Sequence, residues 1–228
     1  VLFGNIALQG QMSSLVLIPT VIINFLGIKF IASRMGQKKA LLFGTYGAIG
    51  TSVLMFCLMV WGDPSSFSFT NISFFTIAFC LLWIFQKGFS GISGNIVIPM
   101  TADCADYETY RTGKYVPGLM GTLFSFVDKV ISSLASTIVA LMFALVGYAQ
   151  EVPTDKSPWS EGLFWVVVIA FTIVPIIGWL CNVVAMKFYP LTKEKMEEIQ
   201  EKIAEIKAKN LAENEAAAAA EAVEAELP

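Results

Sequence analysis

The chain has 228 residues, of which 56% are hydrophobic and only 14% charged, with a mean hydropathy of +0.68. Ordinary soluble domains carry about 25% charged residues, so a soluble enzyme or a nucleic-acid-binding module is excluded as the bulk of the molecule. The formal net charge of −3 says little about partners, because the acidic tail dominates it.

The start, "VLFGNIALQGQ", is not a methionine start, and no signal peptide is expected before the first span. It reads as the outer end of an earlier helix followed by a turn, and predicts a piece of a longer protein. Five stretches then follow that are long and apolar enough to cross a hydrocarbon core of ~30 Å as helices: about 12–30, 40–61, 70–100, 118–148 and 162–188. None alternates in the manner of a membrane barrel. Residues 1–190 are thus expected to form a transmembrane bundle and 191–228 a tail.

The loops give an orientation, since Lys and Arg collect on the cytoplasmic side. Lys29, Arg34, Lys38 and Lys39 lie between the first two spans, and Arg111 and Lys114 between the third and fourth. Lys187, Lys193, Lys195, Lys202, Lys207 and Lys209 lie at the start of the tail or within it. The opposite loops, 62–69 and 149–161, hold just Lys156. A cytoplasmic C-terminus follows. Trp61, Tyr148 and Trp159 would mark the outer boundary, and Tyr107, Tyr110 and Tyr189 the inner one.

Polar residues inside a span normally face a bundle interior or a wet cavity. On the fourth span, Ser125, Asp128, Lys129, Ser132, Ser133 and Ser136 recur every three or four residues. On the third, Lys87, Gly91, Gly94 and Asn95 are expected to share a face, with Lys87 too deep to snorkel to either surface. Small residues there also suit close helix packing. Pro19, Pro99 and Pro175 lie within spans, where each removes a hydrogen bond and can bend the helix.

Past Pro190, Met196, Ile199, Ile203 and Ile206 form the apolar stripe of an amphipathic helix, expected from about Leu191 to Leu211 and resting on the cytoplasmic face. "AENEAAAAAEAVEAELP" beyond it is low-complexity.

Chemistry beyond transport finds little support. No histidine is present, and Cys57, Cys80, Cys104 and Cys181 form no CxxC pair, so no metal site is indicated. With no nucleophile–base pair and no phosphate loop, no catalytic residue is assigned and an enzyme is not expected.

The stretch "TADCADYETYRTGKYVPGLMGTLFSFVDKV" is the most informative. Ala102, Asp103, Asp106, Tyr107, Glu108, Tyr110, Arg111, Thr112, Gly113, Lys114 and Lys129 resemble the pattern of the glycoside–pentoside–hexuronide:cation symporter family, the melibiose-permease-like branch of the major facilitator superfamily. "SRMGQKK", "LVGY" and "FYPLT" support the resemblance, which covers essentially the whole chain.

The resemblance implies the C-terminal half of a twelve-helix fold in two six-helix halves, with the substrate, a sugar or glycoside, held between them. It implies symport with Na⁺ or H⁺, no other cofactor, and cation-binding acids that belong to an N-terminal half outside this chain. Membrane lipid and that half are the expected partners, nucleic acid is not, and the inner membrane of a bacterium is the expected location.

Asp103, Asp106, Tyr107, Glu108, Arg111 and Lys114, at the cytoplasmic mouth, are expected to form a gate whose ion pairs hold it shut and break when it opens. Lys129, with Asp128, Ser125, Ser132, Lys87 and Asn95, is expected to belong to the coupling cavity. Phe124 and Ser125 stand where melibiose permeases have a Gln-Thr pair, Gly94 replaces a sugar-stacking Trp, and Asp128 departs from the pattern. Two other readings are a transport-inactive sensor or scaffold, and a carrier of another cargo such as a lysolipid.

Overall fold

The computed structural model of the chain describes residues 6–113, 117–149, 153–154, 157–158 and 160–205, and every regular element among them is helical. α1 (Ile6–Gly27) continues through a π turn (Ile28–Ala32) into Ser33–Met35. α2 spans Gln37–Trp61, α3 Phe74–Thr112 and α4 Pro117–Leu145. α5 comprises Glu161–Val168, a π turn (Ile169–Ile173) and Val174–Phe188. A last helix, α6, covers 193–205. Five of these helices are long and apolar enough to cross a membrane.

Several boundaries differ from the sequence expectation, the starts of α2 at Gln37 and α3 at Phe74 among them. Residues 6–11 are continuous with α1, so no turn separates them from the first span; Gly10 is tolerated inside an apolar helix. α3 does not stop near residue 100 but runs on to Thr112, where Gly113, at φ 72, donates its N–H to the Thr109 carbonyl and ends the helix. The acids of 103–108 therefore sit on helical turns and not in a connection. α4 ends at Leu145, three residues early.

The helices also remain continuous through Pro19 and Pro99. The irregularity of α5 is the π turn immediately before Pro175, whose ring presses on the turn containing Phe171.

Small residues position the bundle. Ala40, Gly44, Ala48 and Ser52 are buried at four-residue intervals along α2, facing α3. A Cβ on Gly44 would come within 2.8 Å of the Phe89 carbonyl oxygen and 2.9 Å of the Ser93 nitrogen, so the backbones touch. Gly88 and Gly91 of α3 do the same for α1, abutting Ile23 and Asn24. These two glycines are packing residues.

Both ends of the bundle are well defined. At one end Ser73 caps α3, accepting from Thr76 N at 3.1 Å, beneath an aromatic core of Phe67, Phe75, Phe79, Trp83 and Phe171. At the other end, α1 turns into α2 at Gly36, whose φ of 79 favours glycine and whose missing side chain leaves room for Lys193. Leu191, Ile199 and Ile203 of the tail are buried there against Cys104, Tyr107, Tyr110 and Tyr189. The tail and the α1–α2 junction thus share one end, opposite residues 62–69.

Candidate functional site

The sequence-predicted residues fall into two groups with different surroundings. The first lies on the last turns of α3. Arg111 Nη2 reaches Glu108 Oε1 at 3.1 Å, an ion pair one turn apart. Asp106 Oδ2 accepts from Gln200 Nε2 of α6 at 2.6 Å. Asp103 faces Gln37 at the start of α2. Tyr107 packs on the buried leucine and isoleucines of the tail. Lys202 donates to the Tyr110 hydroxyl at 3.2 Å and lies 5.2 Å from its ring centre. Lys114 lies outside the described residues.

The electrostatics of this end are those of a docked tail. Lys38 Nζ donates to the Tyr189 carbonyl at 2.5 Å, and Lys193 Nζ to the Ser33 carbonyl at 3.3 Å. Each cation thus meets carbonyl groups at a helix C-terminus, where the dipole favours it. Burial, followed by Cys104 and Asp103 nearby, pushes the Tyr189 phenol above its usual value, so it stays neutral. Its hydroxyl oxygen is buried without a hydrogen bond. Glu198, between Lys195 at 2.9 Å and Lys202 at 3.3 Å, is held below the ordinary carboxylate range by their hydrogen bonds.

The second group lies within the membrane. Ser125, Asp128, Lys129 and Ser132 are all exposed on α4. Asp128 and Lys129 make no ion pair with one another or with any other described residue. Ser133 and Ser136 donate to the Lys129 and Ser132 carbonyls one turn back, so these hydroxyls are satisfied within the helix. α4 buries essentially none of its span against the rest of the chain.

On α3, Asn95 is exposed and Gly94 opens onto empty space. Gly91, expected on the same face, is instead turned into the α1 seam. Lys87 is exposed, its ammonium 5.5 Å from the centre of the Trp83 ring. A cation over an aromatic ring gains roughly 0.5–2 kcal/mol, whereas an unpaired one at mid-bilayer costs at least ~2.5 kcal/mol. The ring alone does not offset that cost. Lys87 needs water or an anion.

Sequence reasoning missed a buried network. Asn182 Nδ2 of α5 donates to Thr45 Oγ1 of α2 at 3.0 Å, and Thr45 shares a 2.9 Å hydrogen bond with Ser93 of α3. The four-residue spacing of small residues on α2 was the available signal for that seam. A groove of about 780 Å³ between the outer halves of α2 and α3 is bordered by Leu54, Trp61, Phe74 and Phe85. It holds none of the predicted residues, and its apolar walls suit acyl chains.

The described residues form an all-helical, multi-pass membrane bundle whose charges sit on open helix faces and at one helix end. The comparisons agree. A family model described as MFS/sugar transport protein matches residues 4–193. The chain belongs to that family.

Among curated relatives, the glucuronide carrier protein homolog of Escherichia coli K12 is 29% identical over 73% of this chain and 33% of its own length. The isoprimeverose transporter of Lactiplantibacillus pentosus is 24% identical over 80% and 34% respectively. A putative 2,3-dihydroxypropane-1-sulfonate exporter of E. coli K12 is 27% identical over 75% and 33%. The chain thus spans about a third of the length of these relatives. No solved structure matches.

Proposed function

We propose that the chain is the C-terminal membrane half of a cation-coupled symporter for a sugar or glycoside, in the plasma membrane of a bacterium with the tail in the cytoplasm. The observation that carries this reading is the open polar face of α4. Asp128, Lys129 and a run of hydroxyls stand at mid-span with no partner on the other described helices, in a family of sugar transport proteins. The carrier and transporter names of the relatives support the same reading. The cytoplasmic side follows from the basic residues gathered at the α1–α2 junction and the tail.

In this mechanism Lys129 links the sugar site to acids that bind Na⁺ or H⁺ in the other half. The inner turns of α3, with Asp103, Asp106, Tyr107, Glu108 and Arg111, open and close the cytoplasmic mouth, and Lys114, outside the described residues, belongs to the same gate. Exposed ion pairs of the Glu108–Arg111 kind are worth only ~0–1 kcal/mol each, which suits contacts broken in every cycle. The test is sugar flux in proteoliposomes of the full-length protein under imposed Na⁺ or pH gradients. Gradient-driven accumulation supports symport; flux that ignores both gradients refutes the coupling.

A further inference from the structure

The groove between the outer halves of α2 and α3 takes no part in the transport reading, yet its position and chemistry are specific. Leu54, Leu58 and Trp61 of α2 and Phe74, Leu81 and Phe85 of α3 line its walls. Trp61 lies seven residues past Leu54, and Phe85 eleven past Phe74, about 10 and 16 Å of helix. One leaflet of a ~30 Å hydrocarbon core is ~15 Å deep. The groove thus has the depth of a single leaflet, at the end of the bundle opposite α6.

Its direction is equally defined. At 100° per residue, Leu81 and Phe85 lie about 120–180° around α3 from Lys87 and Gly94. The groove therefore opens away from the polar stripe of α3 and not into the substrate cavity. Helix interfaces in membranes are rich in small residues, whereas these walls are leucines and aromatic rings, a poor face for a further helix. Trp61 and Phe74 are 83% and 84% exposed at its rim, where an interfacial belt belongs. An acyl chain fits such walls.

The head group follows from Asp63, which also borders the groove. It is the only charged residue between Lys39 and Lys87. Its Oδ1 accepts from the Ser65 N–H at 3.0 Å and the Ser65 hydroxyl at 2.6 Å, capping the short 3₁₀ turn Pro64–Ser66. Its Oδ2 accepts from no described residue. The cap uses one oxygen and leaves the other exposed at the mouth of the groove. We infer that the groove binds a phospholipid of the leaflet opposite α6 and selects a head group with a primary ammonium, which donates to Asp63 Oδ2. Trp61 brings an indole N–H to the same rim, a donor suited to the lipid phosphate. A head group that is anionic throughout meets Asp63 as a like charge.

The test uses the full-length protein in vesicles of equal parts phosphatidylethanolamine and phosphatidylglycerol. A trace of one lipid or the other carries a photoreactive acyl chain, and cross-links are mapped by peptide and normalised to those on the other faces of the bundle. Over residues 54–63 and 74–85 the ethanolamine probe should exceed the glycerol probe about threefold, as expected of one exposed ion pair. Asp63→Asn keeps the cap, since Asn and Asp serve about equally there, and should bring that ratio to about one with the groove still labelled. Equal labelling by the two probes in the wild type overturns the head-group selection, and so does a preference that survives Asp63→Asn. Groove peptides labelled no more than the other faces overturn the lipid site itself. None of these readouts depends on which substrate is carried.

Discussion

The α2–α3 seam and α4 carry similar numbers of small and hydroxyl-bearing residues, yet they use them in opposite ways. In the seam, Thr45, Ser52 and Ser93 are buried, and Thr45 and Ser93 are bonded to each other. Along α4, Ser125, Ser132, Ser133 and Ser136 are exposed and bond, where they bond at all, to their own helix. The composition is the same, but only the seam has closed. Polarity that is closed off holds helices together, and polarity left open is available to a substrate or to the other half.

The sharpest way to break this comparison is Lys129→Ala in the full-length protein. Ion-driven uptake should fall to background while the melting temperature changes little, because Lys129 is exposed on α4 and belongs to no buried cluster of this chain. Lys129→Arg should rescue poorly, since a guanidinium is larger and planar. A large drop in melting temperature with uptake retained would make Lys129 a packing residue after all.

Next in size is a pair of glycine substitutions. Gly44→Val forces atoms against the Phe89 carbonyl and Ser93 nitrogen and should destabilise by about 1–3 kcal/mol. Gly121→Val on α4 meets nothing within 4 Å and should leave thermal unfolding of this chain unchanged. Equal losses would mean that α4 is packed in the membrane as tightly as α2.

A smaller effect is expected from Asn182→Leu, which removes the donor to Thr45. Interhelical hydrogen bonds in membranes average ~0.6 kcal/mol, so a shift of that order in a double-mutant cycle with Thr45→Val is the outcome to look for. Zero coupling would show the triad to be incidental.

The smallest effect belongs to the tail. Glu198 has its pKa lowered by hydrogen bonds from Lys195 and Lys202, so its contribution is present above the unfolded carboxylate value of about 4.3. It is lost as pH falls through the lower folded value. The protection factors of the α6 amides, corrected for the intrinsic pH dependence of exchange, should therefore fall slightly under acid conditions, and Glu198→Gln should reduce that dependence.

The spans were legible in the sequence because the hydrocarbon core forbids charge, and long charge-free runs are visible without any tertiary information. The extent of α3 was not. The acids and tyrosines after Thr101 looked like a connection, whereas Ala102 and Ala105 sustain the helix until Gly113 adopts a left-handed backbone. The glycines of α3 were split between two roles that spacing alone did not separate, since Gly88 and Gly91 meet Ile23 and Asn24, more than sixty positions away, while Gly94 meets nothing. Gln200 pairing with Asp106 was invisible for the same reason. For the open face of α4 the pattern of residue types could be read, but their use lies with partners that periodicity does not describe.

The crossed lysine caps have a consequence for the order of synthesis. Lys38 waits for the Tyr189 carbonyl, and the Ser33 carbonyl waits for Lys193, so the junction between the first two helices receives its contacts from segments translated about 150 residues later. While the ribosome is still making α3 to α5, that junction stands uncapped, and Asp106 has no Gln200 to accept from. The inner end of the bundle is therefore the last part to mature. A nascent chain stalled before α6 would present to the insertion machinery helices α1 to α5 with an unfinished floor.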